Sequence, residues 1–339
     1  MKVAVYHSNH DIRIEERPVP RIGPGELLVR MEASGICGSD VMEWYRLGKA
    51  PLVLGHEIAG TIEETGEGVE DFGPGDRVFV SHHVPCNECR YCEAGQHSLC
   101  ETLRTTNFDP GGFAEFIRVP RINVTNGTFR LPDGMSFEEG AFVEPLACVL
   151  RGVGTARFSP GRSVLVLGSG ISGLLFIKAF RALGASRIAA TDIETRRLDA
   201  AVRFGADIAM QPGEATPHRL REGNDGLLYD LVVVCAGGAS VFEQAFTLAE
   251  QGGTVLLFAP PEPGLELRLP LFRVWRDQIA ILSTYAGCPA DIEEAIEMIA
   301  SKRVTVTDMI THRLPLDRAA EGFRLVSEGA ESIKVIITP

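Results

Sequence analysis

A glycine-rich loop between an apolar strand and a helix constrains the fold more than any other feature. The run SVLVLGSGISGLLFIKAF contains Gly168, Gly170 and Gly173 in the pattern G-x-G-x-x-G. Gly168 would form the tight turn, Gly170 would let the backbone approach a pyrophosphate, and Gly173 would allow close helix–strand packing. Ile171 and Ser172 complete the loop, which faces phosphates at the helix N-terminus. This context predicts a dinucleotide site; the alternative is a glycine-rich turn without a ligand.

The sequence around this loop alternates strands and helices. Continuous apolar runs are typical of strands that are covered on both faces of a sheet. They are SVLVLG, SRIAATD, YDLVVVCAG, GGTVLLFAP and QIAILSTYA, with helical segments such as GLLFIKAFRALGA and TRRLDAAVRFGA between them. The alternation predicts an α/β fold with a doubly wound parallel sheet.

An acidic residue follows the loop at the distance that the dinucleotide fingerprint expects. Asp192 ends the next strand, about 20 residues downstream. A carboxylate there accepts hydrogen bonds from the adenosine ribose and repels a 2′-phosphate, so NAD is favoured over NADP. Arg196 and Arg197 leave the alternative open, because an arginine accommodates that phosphate; they otherwise lie on a solvated helix face.

The first 140 residues have a different pattern, made of short strand-like runs broken by Gly and Pro. ELLVRMEASGI, IAGTIEETG, PGDRVFV and GGFAEFIRVP alternate apolar and polar positions, which predicts a small antiparallel barrel or sandwich. Helical periodicity begins at EPLACVLRGV, with Pro145 suited to the first helical position. A further helix is predicted at DIEEAIEMIASKR, after Cys288.

Charge and hydropathy narrow the partners and the compartment. The chain has 339 residues and a net charge of −12, which argues against nucleic acid or an anionic membrane as partner. The N-terminus has no apolar segment of a signal peptide, and the most apolar stretch is too broken to span a membrane. We therefore expect a cytoplasmic protein whose eight cysteines are reduced.

Four of the cysteines lie within one short segment. Cys86, Cys89, Cys92 and Cys100 follow the spacing C-x2-C-x2-C-x7-C in CNECRYCEAGQHSLC. Four thiolates from one folded-back loop form a closed tetrahedral zinc site, and such sites are structural. Disulfides or unligated cysteines are the alternatives. The spacing predicts a zinc ion that orders a turn-rich lobe.

A second set of metal-ligand residue types is scattered along the chain. Cys37 lies in GICGSDVMEW, His56 and Glu57 in LGHEIAG, and Glu144 in FVEPLACV. A thiolate, an imidazole and carboxylates suit a zinc ion with an open or water-filled position. Their spacing does not select such a site, so a histidine within the core and an inert buried thiol remain alternatives.

Taken together, the ordered motifs identify a family. The run of CGSD, GHE, PGDRV, the four-cysteine lobe, GGFAEF, EPLA, the glycine loop and SIKVII resembles the zinc-dependent medium-chain dehydrogenases, most closely their polyol branch with sorbitol and threonine dehydrogenases. The resemblance runs essentially end to end. It implies a GroES-like catalytic domain at 1–150, a Rossmann dinucleotide-binding domain at 151–287, and a return to the catalytic domain at 288–339.

The resemblance also assigns roles to individual residues. It implies a structural zinc on the four clustered cysteines and a catalytic zinc on Cys37, His56 and Glu57. Glu144 would hold the zinc-bound water or bind the metal directly, and Ser39 would take the proton of the alcohol. Two basic residues would contact the cofactor, with Lys334 at the pyrophosphate and Arg197 at the adenosine ribose.

Three positions depart from the family pattern. Met42 stands where relatives carry a histidine that passes the proton to solvent, and Met cannot relay a proton. Glu43 replaces a tyrosine near the substrate, and Thr284, before Tyr285, replaces an arginine that contacts the polyol. These changes fall in the substrate pocket, where Glu43 and Tyr285 are the residues we expect to matter, and they argue against sorbitol itself.

The sequence therefore predicts a zinc- and NAD-dependent dehydrogenase, acting as a homodimer or homotetramer. Its substrate would be a small secondary alcohol, either a polyol, a cyclitol or a sugar-related compound, and its product a ketone. A dehydrogenase of simple alcohols or amino alcohols is one alternative. A non-catalytic NAD-binding sensor on the same scaffold is another, and the loss of the relay histidine at Met42 is the feature that favours it.

Overall fold

The computed structural model describes residues 1–329 and 331–339 of the chain. The chain divides into two compact units. The first unit comprises Met1–Ala147 with Ala286–Pro339, and the second comprises Cys148–Tyr285. Among the described residues, no helix is both long and apolar enough to span a membrane.

The first unit is built on two sheets. Strand β3 pairs with both β5 and β7, and the order of the larger sheet is β15-β16-β3-β5-β6-β8. All its pairings are antiparallel except β15 with β16. The smaller sheet has the antiparallel order β2-β1-β4. The strands are β1 Lys2–Ser8, β2 Asp11–Glu16, β3 Leu27–Gly35, β4 Leu52–Val53, β5 Glu57–Thr65, β6 Arg77–Val80, β7 Phe116–Val119, β8 Thr128–Arg130, β15 Ile310–Pro315 and β16 Lys334–Thr338.

Short helices connect these strands, and part of the core packs against helix α13, Ala319–Glu328. The rings of Tyr6 and Phe113 lie 5.8 and 5.5 Å from the ring of Phe323 on helix α13, and all three side chains are buried. The helices that lie in this unit are α1 Glu43–Arg46, α2 Arg90–Glu93, α3 Glu101–Thr105, α4 Arg121–Gly127, α5 Phe137–Ala141, α12 Pro289–Ala300 and α13 Ala319–Glu328. Helix α6, Val143–Thr155, continues from this unit into the second.

The second unit is a six-stranded parallel sheet with helices between its strands. Its order is β11-β10-β9-β12-β13-β14, which is the 3-2-1-4-5-6 order of dinucleotide-binding folds. The strands are β9 Ser163–Leu167, β10 Arg187–Thr191, β11 Ile208–Met210, β12 Tyr229–Val234, β13 Ala249–Leu257 and β14 Ala280–Ser283. The helices are α7 Ile171–Ala182, α8 Thr195–Arg203, α9 Pro217–Glu222, α10 Ala239–Leu248 and α11 Leu271–Arg276.

The predicted fold class is confirmed. The apolar runs form the parallel strands because both faces of the sheet are covered, and the five residues of β9 are all buried. The predicted helices form as α6, α7, α8 and α12. Strand β11 was not predicted, because its three residues are too few to show a period.

Candidate metal centres and dinucleotide site

Three predicted metal ligands from distant positions meet in the first unit. Cys37 precedes a 3-10 turn at Gly38–Val41, His56 immediately precedes β5, and Glu57 is the first residue of that strand. One ligand atom from each of the three lies within 4.8 Å of the other two. We call this group the scattered cluster. The pairing of β3 with β5 in antiparallel register brings Glu57 opposite Gly35, close to Cys37 in the chain.

A buried carboxylate holds two members of the scattered cluster. Asp40 is fully buried, and its Oδ2 accepts a hydrogen bond of 3.1 Å from the backbone N–H of Cys37. Its Oδ1 lies 3.3 Å from Nδ1 of His56, which leaves Nε2 of that ring for a metal. Burial alone would raise the pKa of Asp40, but the charges of His56 and Arg46 lower it below its usual value. Asp40 is therefore an anion that orients the imidazole.

A buried ion pair holds the third member. The Nζ of Lys334 pairs with Oε2 of Glu57 and donates to the carbonyl of Ile36 at 3.2 Å. Both side chains are buried. A Cβ at Gly35 would lie 2.7 Å from Cε of Lys334 and would also collide with Glu57, so this position requires glycine. In this structure the charge of Lys334 is committed to Glu57, and the predicted contact with a cofactor pyrophosphate stays a prediction.

The donor set of the scattered cluster fits a zinc ion. One sulfur, one imidazole nitrogen and one carboxylate oxygen are zinc ligand types, and three protein ligands leave a fourth position open. Burial lowers the pKa of His56, but Asp40 and Cys37 more than offset this and raise the pKa well above 6.5. The same negative charges would attract a divalent cation, so the arrangement suits a metal that acts on a substrate.

The predicted proton acceptor lies beside the cluster and is held by an arginine. Arg46 donates from Nε to the carbonyl of Ser39 at 2.9 Å and from Nη2 to Oγ of Ser39 at 3.1 Å. Its guanidinium also lies 3.4 Å from Asp40. Met42 precedes α1 and offers no proton-transfer group. The guanidinium of Arg46 therefore fixes the hydroxyl of Ser39. Arg46 lies four residues after Met42, the position at which relatives carry a histidine.

Two histidines extend the polar surface next to the cluster. The ring of His82 lies 4.8 Å from that of His56 and 3.8 Å from that of His83. Burial and the charge of His56 lower the pKa of both, to about 4 for His83 and well below 6.5 for His82. Both rings are therefore neutral near pH 7.

Glu144 lies in the same region without joining the scattered cluster. It lines a cavity with His82 and His83, and it is not among the residues whose ligand atoms lie within 4.8 Å of one another. Of the two predicted substrate-pocket residues, Glu43 accepts a hydrogen bond of 3.3 Å from the backbone of Asn9. Tyr285 is 48% exposed. The roles of all three residues stay predictions.

The four-cysteine lobe forms a separate group in the same unit. All four Sγ atoms lie within 4.8 Å of one another, and the pairs Cys89–Cys92 and Cys86–Cys100 are 3.6 Å apart. A tetrahedral zinc with Zn–S bonds of about 2.3 Å places its sulfur atoms about 3.8 Å apart. Burial raises the pKa of Cys100, but backbone N–H groups of Cys86 and Leu103 outweigh it and bring the pKa to about 6. The group fits a closed zinc site.

The glycine loop of the second unit has the geometry of a phosphate-binding turn. Gly168 has φ of +97°, a conformation that favours glycine, and a Cβ at Gly173 would collide with the carbonyl of Gly168. A Cβ at Gly170 would meet no described atom within 4 Å, so open space faces the backbone at the start of α7. Ile171 and Ser172 form the first turn of that helix.

The acidic residue after β10 lies against this loop. Asp192 is buried and accepts hydrogen bonds from the backbone N–H groups of Ser169 at 2.8 Å and Glu194 at 2.9 Å. Arg197 lies 3.8 Å from its carboxylate. The predicted dinucleotide residues of the second unit are therefore brought together, with a carboxylate and an arginine at the same place.

Three residues of the first unit were missed from the sequence. Asp40 had a usable signal, because it lies three residues after Cys37 in CGSD. Arg46 and His82 had none, since a single arginine or histidine in a β-rich segment has no spacing that marks it. Arg46 contacts residues six and seven positions away through an irregular turn, and His82 meets His56 from a distant segment.

Comparison with known proteins shows which families and proteins this chain is similar to. The family model of the alcohol dehydrogenase GroES-like domain matches residues 23–133, and that of the zinc-binding dehydrogenase matches residues 172–301. The chain is 34% identical to the sorbitol dehydrogenase of Mus musculus, over 98% of this chain and 94% of that protein.

Two solved structures are similar over nearly their full length. The alcohol dehydrogenase TADH from Thermus sp. ATN1 aligns with a TM-score of 0.89 at 31% identity, over 100% of this chain and 99% of that chain. A Sinorhizobium meliloti 1021 protein, described as a zinc-binding dehydrogenase and solved with NADP, gives the same TM-score of 0.89, 31% identity, and coverage of 100% and 99%.

Proposed function

The chain belongs to the zinc-dependent medium-chain alcohol dehydrogenases, and we propose that it oxidises a polyol, cyclitol or sugar-related secondary alcohol to a ketone with NAD. The family acts on small-molecule alcohols and uses zinc and a nicotinamide cofactor. The similarity to sorbitol dehydrogenases favours a polyol-like substrate, while Glu43 and Thr284 argue against sorbitol itself.

The observation that carries the proposal is the scattered cluster itself. Cys37, His56 and Glu57 converge within 4.8 Å, and the buried charges of Asp40 and Lys334 hold two of them. A buried ion pair is costly to maintain, and breaking one partner leaves a buried charge uncompensated. An arrangement of this kind is expected where a metal must be held in one orientation.

The side chains divide the work of alcohol oxidation. When bound, zinc supplies a Lewis acid that lowers the pKa of the alcohol, and NAD supplies the hydride acceptor. Ser39 takes the alcohol proton at Oγ, and Arg46 fixes that oxygen by donating to it. Met42 cannot accept this proton, so the proton passes from Ser39 to water. Asp40 keeps Nδ1 of His56 occupied, and Lys334 holds the carboxylate of Glu57.

We assign NAD as the cofactor because of Asp192. Its buried carboxylate lies at the end of β10, where a 2′-phosphate would meet a negative charge. Arg197, 3.8 Å away, supports the opposite preference, and the similar Sinorhizobium protein was solved with NADP. The coenzyme preference is measured by the ratio of kcat/KM with NAD to that with NADP, which we expect to exceed one.

We also propose two zinc ions per chain and a homodimer or homotetramer located in the cytoplasm. The two groups of ligand residues support the zinc count. Strand β14 ends the parallel sheet, and Phe272 and Trp275 on neighbouring α11 are 68% and 73% exposed, which favours a partner subunit at this edge. Light scattering after gel filtration measures the number of subunits, and a monomer would contradict the proposed homodimer or homotetramer.

The proposal is tested by screening polyols, cyclitols, amino alcohols and simple secondary alcohols with NAD and NADP in parallel. We expect NAD reduction with polyols or cyclitols, and its loss in His56→Ala with the far-UV spectrum unchanged. A zinc-loaded protein that binds NAD but oxidises no alcohol would instead establish the sensor. Turnover by zinc-free His56→Ala would contradict the zinc-dependent mechanism.

A further inference from the structure

A cavity in the first unit is lined by a histidine, His82, whose ring has one buried nitrogen without a hydrogen-bond partner in the part of the chain that the structure describes. The lining residues of the cavity are Ser81, His82, His83, Glu144, Ala147, Ala286, Gly287 and Ile292. Nδ1 of His82 is buried and makes no hydrogen bond to any described residue, although the ring as a whole is partly exposed. The hydroxyl of Ser81 is already committed to the carbonyl of His83 at 2.9 Å. Buried polar atoms of this kind normally have a partner, so a ligand or a water is expected here.

His82 lies beside the scattered cluster, which indicates that its missing partner is part of the substrate. Its ring centroid is 4.8 Å from that of His56, whose Nδ1 lies against Asp40 and whose ring supplies one ligand atom of the scattered cluster. His82 is therefore close enough to the cluster to meet the next carbon atoms of a molecule whose reacting hydroxyl lies there. An imidazole nitrogen accepts or donates a hydrogen bond, whereas the phenyl ring of the same size offers only an apolar face.

We propose that His82 binds a second hydroxyl of the substrate, on the carbon next to the one oxidised, and so selects vicinal diols over simple alcohols. This rests on the proposed dehydrogenase function and deepens it by naming the substrate class. A site that is built to hydrogen-bond a substrate hydroxyl rejects the analogue that lacks it, because its own polar group is then left unpaired. His82 is a specificity residue in this account, and Ser39 and the scattered cluster perform the reaction.

The packing of His82 permits a clean substitution. Its ring packs against those of His56 and His83 in tilted arrangements and lies 6.5 Å from the ring of Phe108. Phenylalanine retains this aromatic packing and removes the hydrogen-bonding nitrogen. Asparagine places a polar atom near the position of Nδ1, so His82→Asn is the conservative variant that restores the hydrogen bond.

The experiment compares matched pairs of substrates with and without the second hydroxyl. The pairs are butane-2,3-diol with butan-2-ol, and cis- and trans-cyclohexane-1,2-diol with cyclohexanol. In the wild type we expect kcat/KM for the better diol to exceed that of its mono-alcohol about tenfold or more, since one hydrogen bond contributes about that factor. His82→Phe should lower this diol-to-mono-alcohol ratio about tenfold, and His82→Asn should restore most of it.

Controls separate selectivity from damage to the metal centre. Zinc content is measured for each variant, because His82 contacts a metal ligand. His218→Phe, at an exposed histidine of helix α9, should leave the ratio at the wild-type value. The inference would be overturned if the wild type oxidises both members of a pair and zinc-loaded His82→Phe has the same diol-to-mono-alcohol ratio of kcat/KM. The partner of Nδ1 of His82 would then be a bound water. A zinc-loaded wild type that oxidises none of the alcohols, here or in the screen, would instead overturn the proposed function.

Discussion

The two groups of metal-ligand residues differ in how the chain builds them. The four-cysteine lobe takes all its ligands from one segment of fifteen residues, Cys86 to Cys100. The scattered cluster takes Cys37 from the loop after β3, His56 from the residue before β5 and Glu57 from the first position of β5. Lys334, which supports Glu57, comes from β16. The lobe is therefore specified by local spacing, and the cluster by the pairing of distant strands.

The difference extends to the surroundings of the ligands. In the lobe, Sγ of Cys100 accepts a hydrogen bond from the backbone N–H of Cys86, which stabilises a thiolate without adding charge. The cluster is held by charged side chains, with Asp40 on His56 and Lys334 on Glu57. A closed all-sulfur site stabilises a fold, whereas a charged site with an open position polarises a substrate. We infer that one group provides stability and the other performs the chemistry.

The largest expected effect is the loss of activity on removing a ligand of the cluster. Cys37→Ser should lower kcat/KM about a thousandfold or more, because several kcal/mol of charge stabilisation in the transition state is lost. The melting temperature should change little. Cys148→Ser, at a cysteine outside both groups, is the matched control for kcat/KM and thermal unfolding.

The converse result is expected in the lobe. Cys89→Ser should lower the free energy of unfolding by roughly 3 kcal/mol and the melting temperature by roughly 10 °C, because a structural zinc contributes directly to folding. Molecules that remain folded should retain near wild-type kcat. Thermal unfolding and initial rates on the same sample check this, and a wild-type melting temperature with lost activity would reverse the two roles.

A smaller effect is expected from the carboxylate that orients His56. Asp40→Asn keeps the size of the side chain and removes the charge, and it should weaken zinc affinity or activity by about 10- to 100-fold. Competition with a chelator measures the affinity. The lobe should retain its zinc in this variant, so a loss of both metals would show that Asp40 acts on folding.

The smallest of these effects concerns Ser39. Arg46→Gln should lower kcat by about tenfold with a smaller change in KM, because two charge-assisted hydrogen bonds to Ser39 are lost. Arg46→Lys keeps the charge without the planar fork and should recover only part of the rate. Added guanidinium ion should partly rescue Arg46→Gln, which a purely structural role would not allow.

The sequence was sufficient for the parts of the fold with a strong local period. The parallel sheet could be predicted because its strands are continuous apolar runs, and the lobe because its four cysteines lie close together. The scattered cluster required the family resemblance, since residues 37 and 57 meet only through the pairing of β3 with β5. The Lys334–Glu57 pair joins residues 277 positions apart, and no local signal marks it.

The most direct test of the division between the two groups is a stepwise removal of zinc. Zinc per chain, NAD reduction and the melting temperature are measured on the same samples as a chelator is added. We predict two zinc ions, with activity lost in proportion to one of them and the melting temperature governed by the other. Activity that persists without zinc, or that follows the same zinc ion as the melting temperature, would contradict the account.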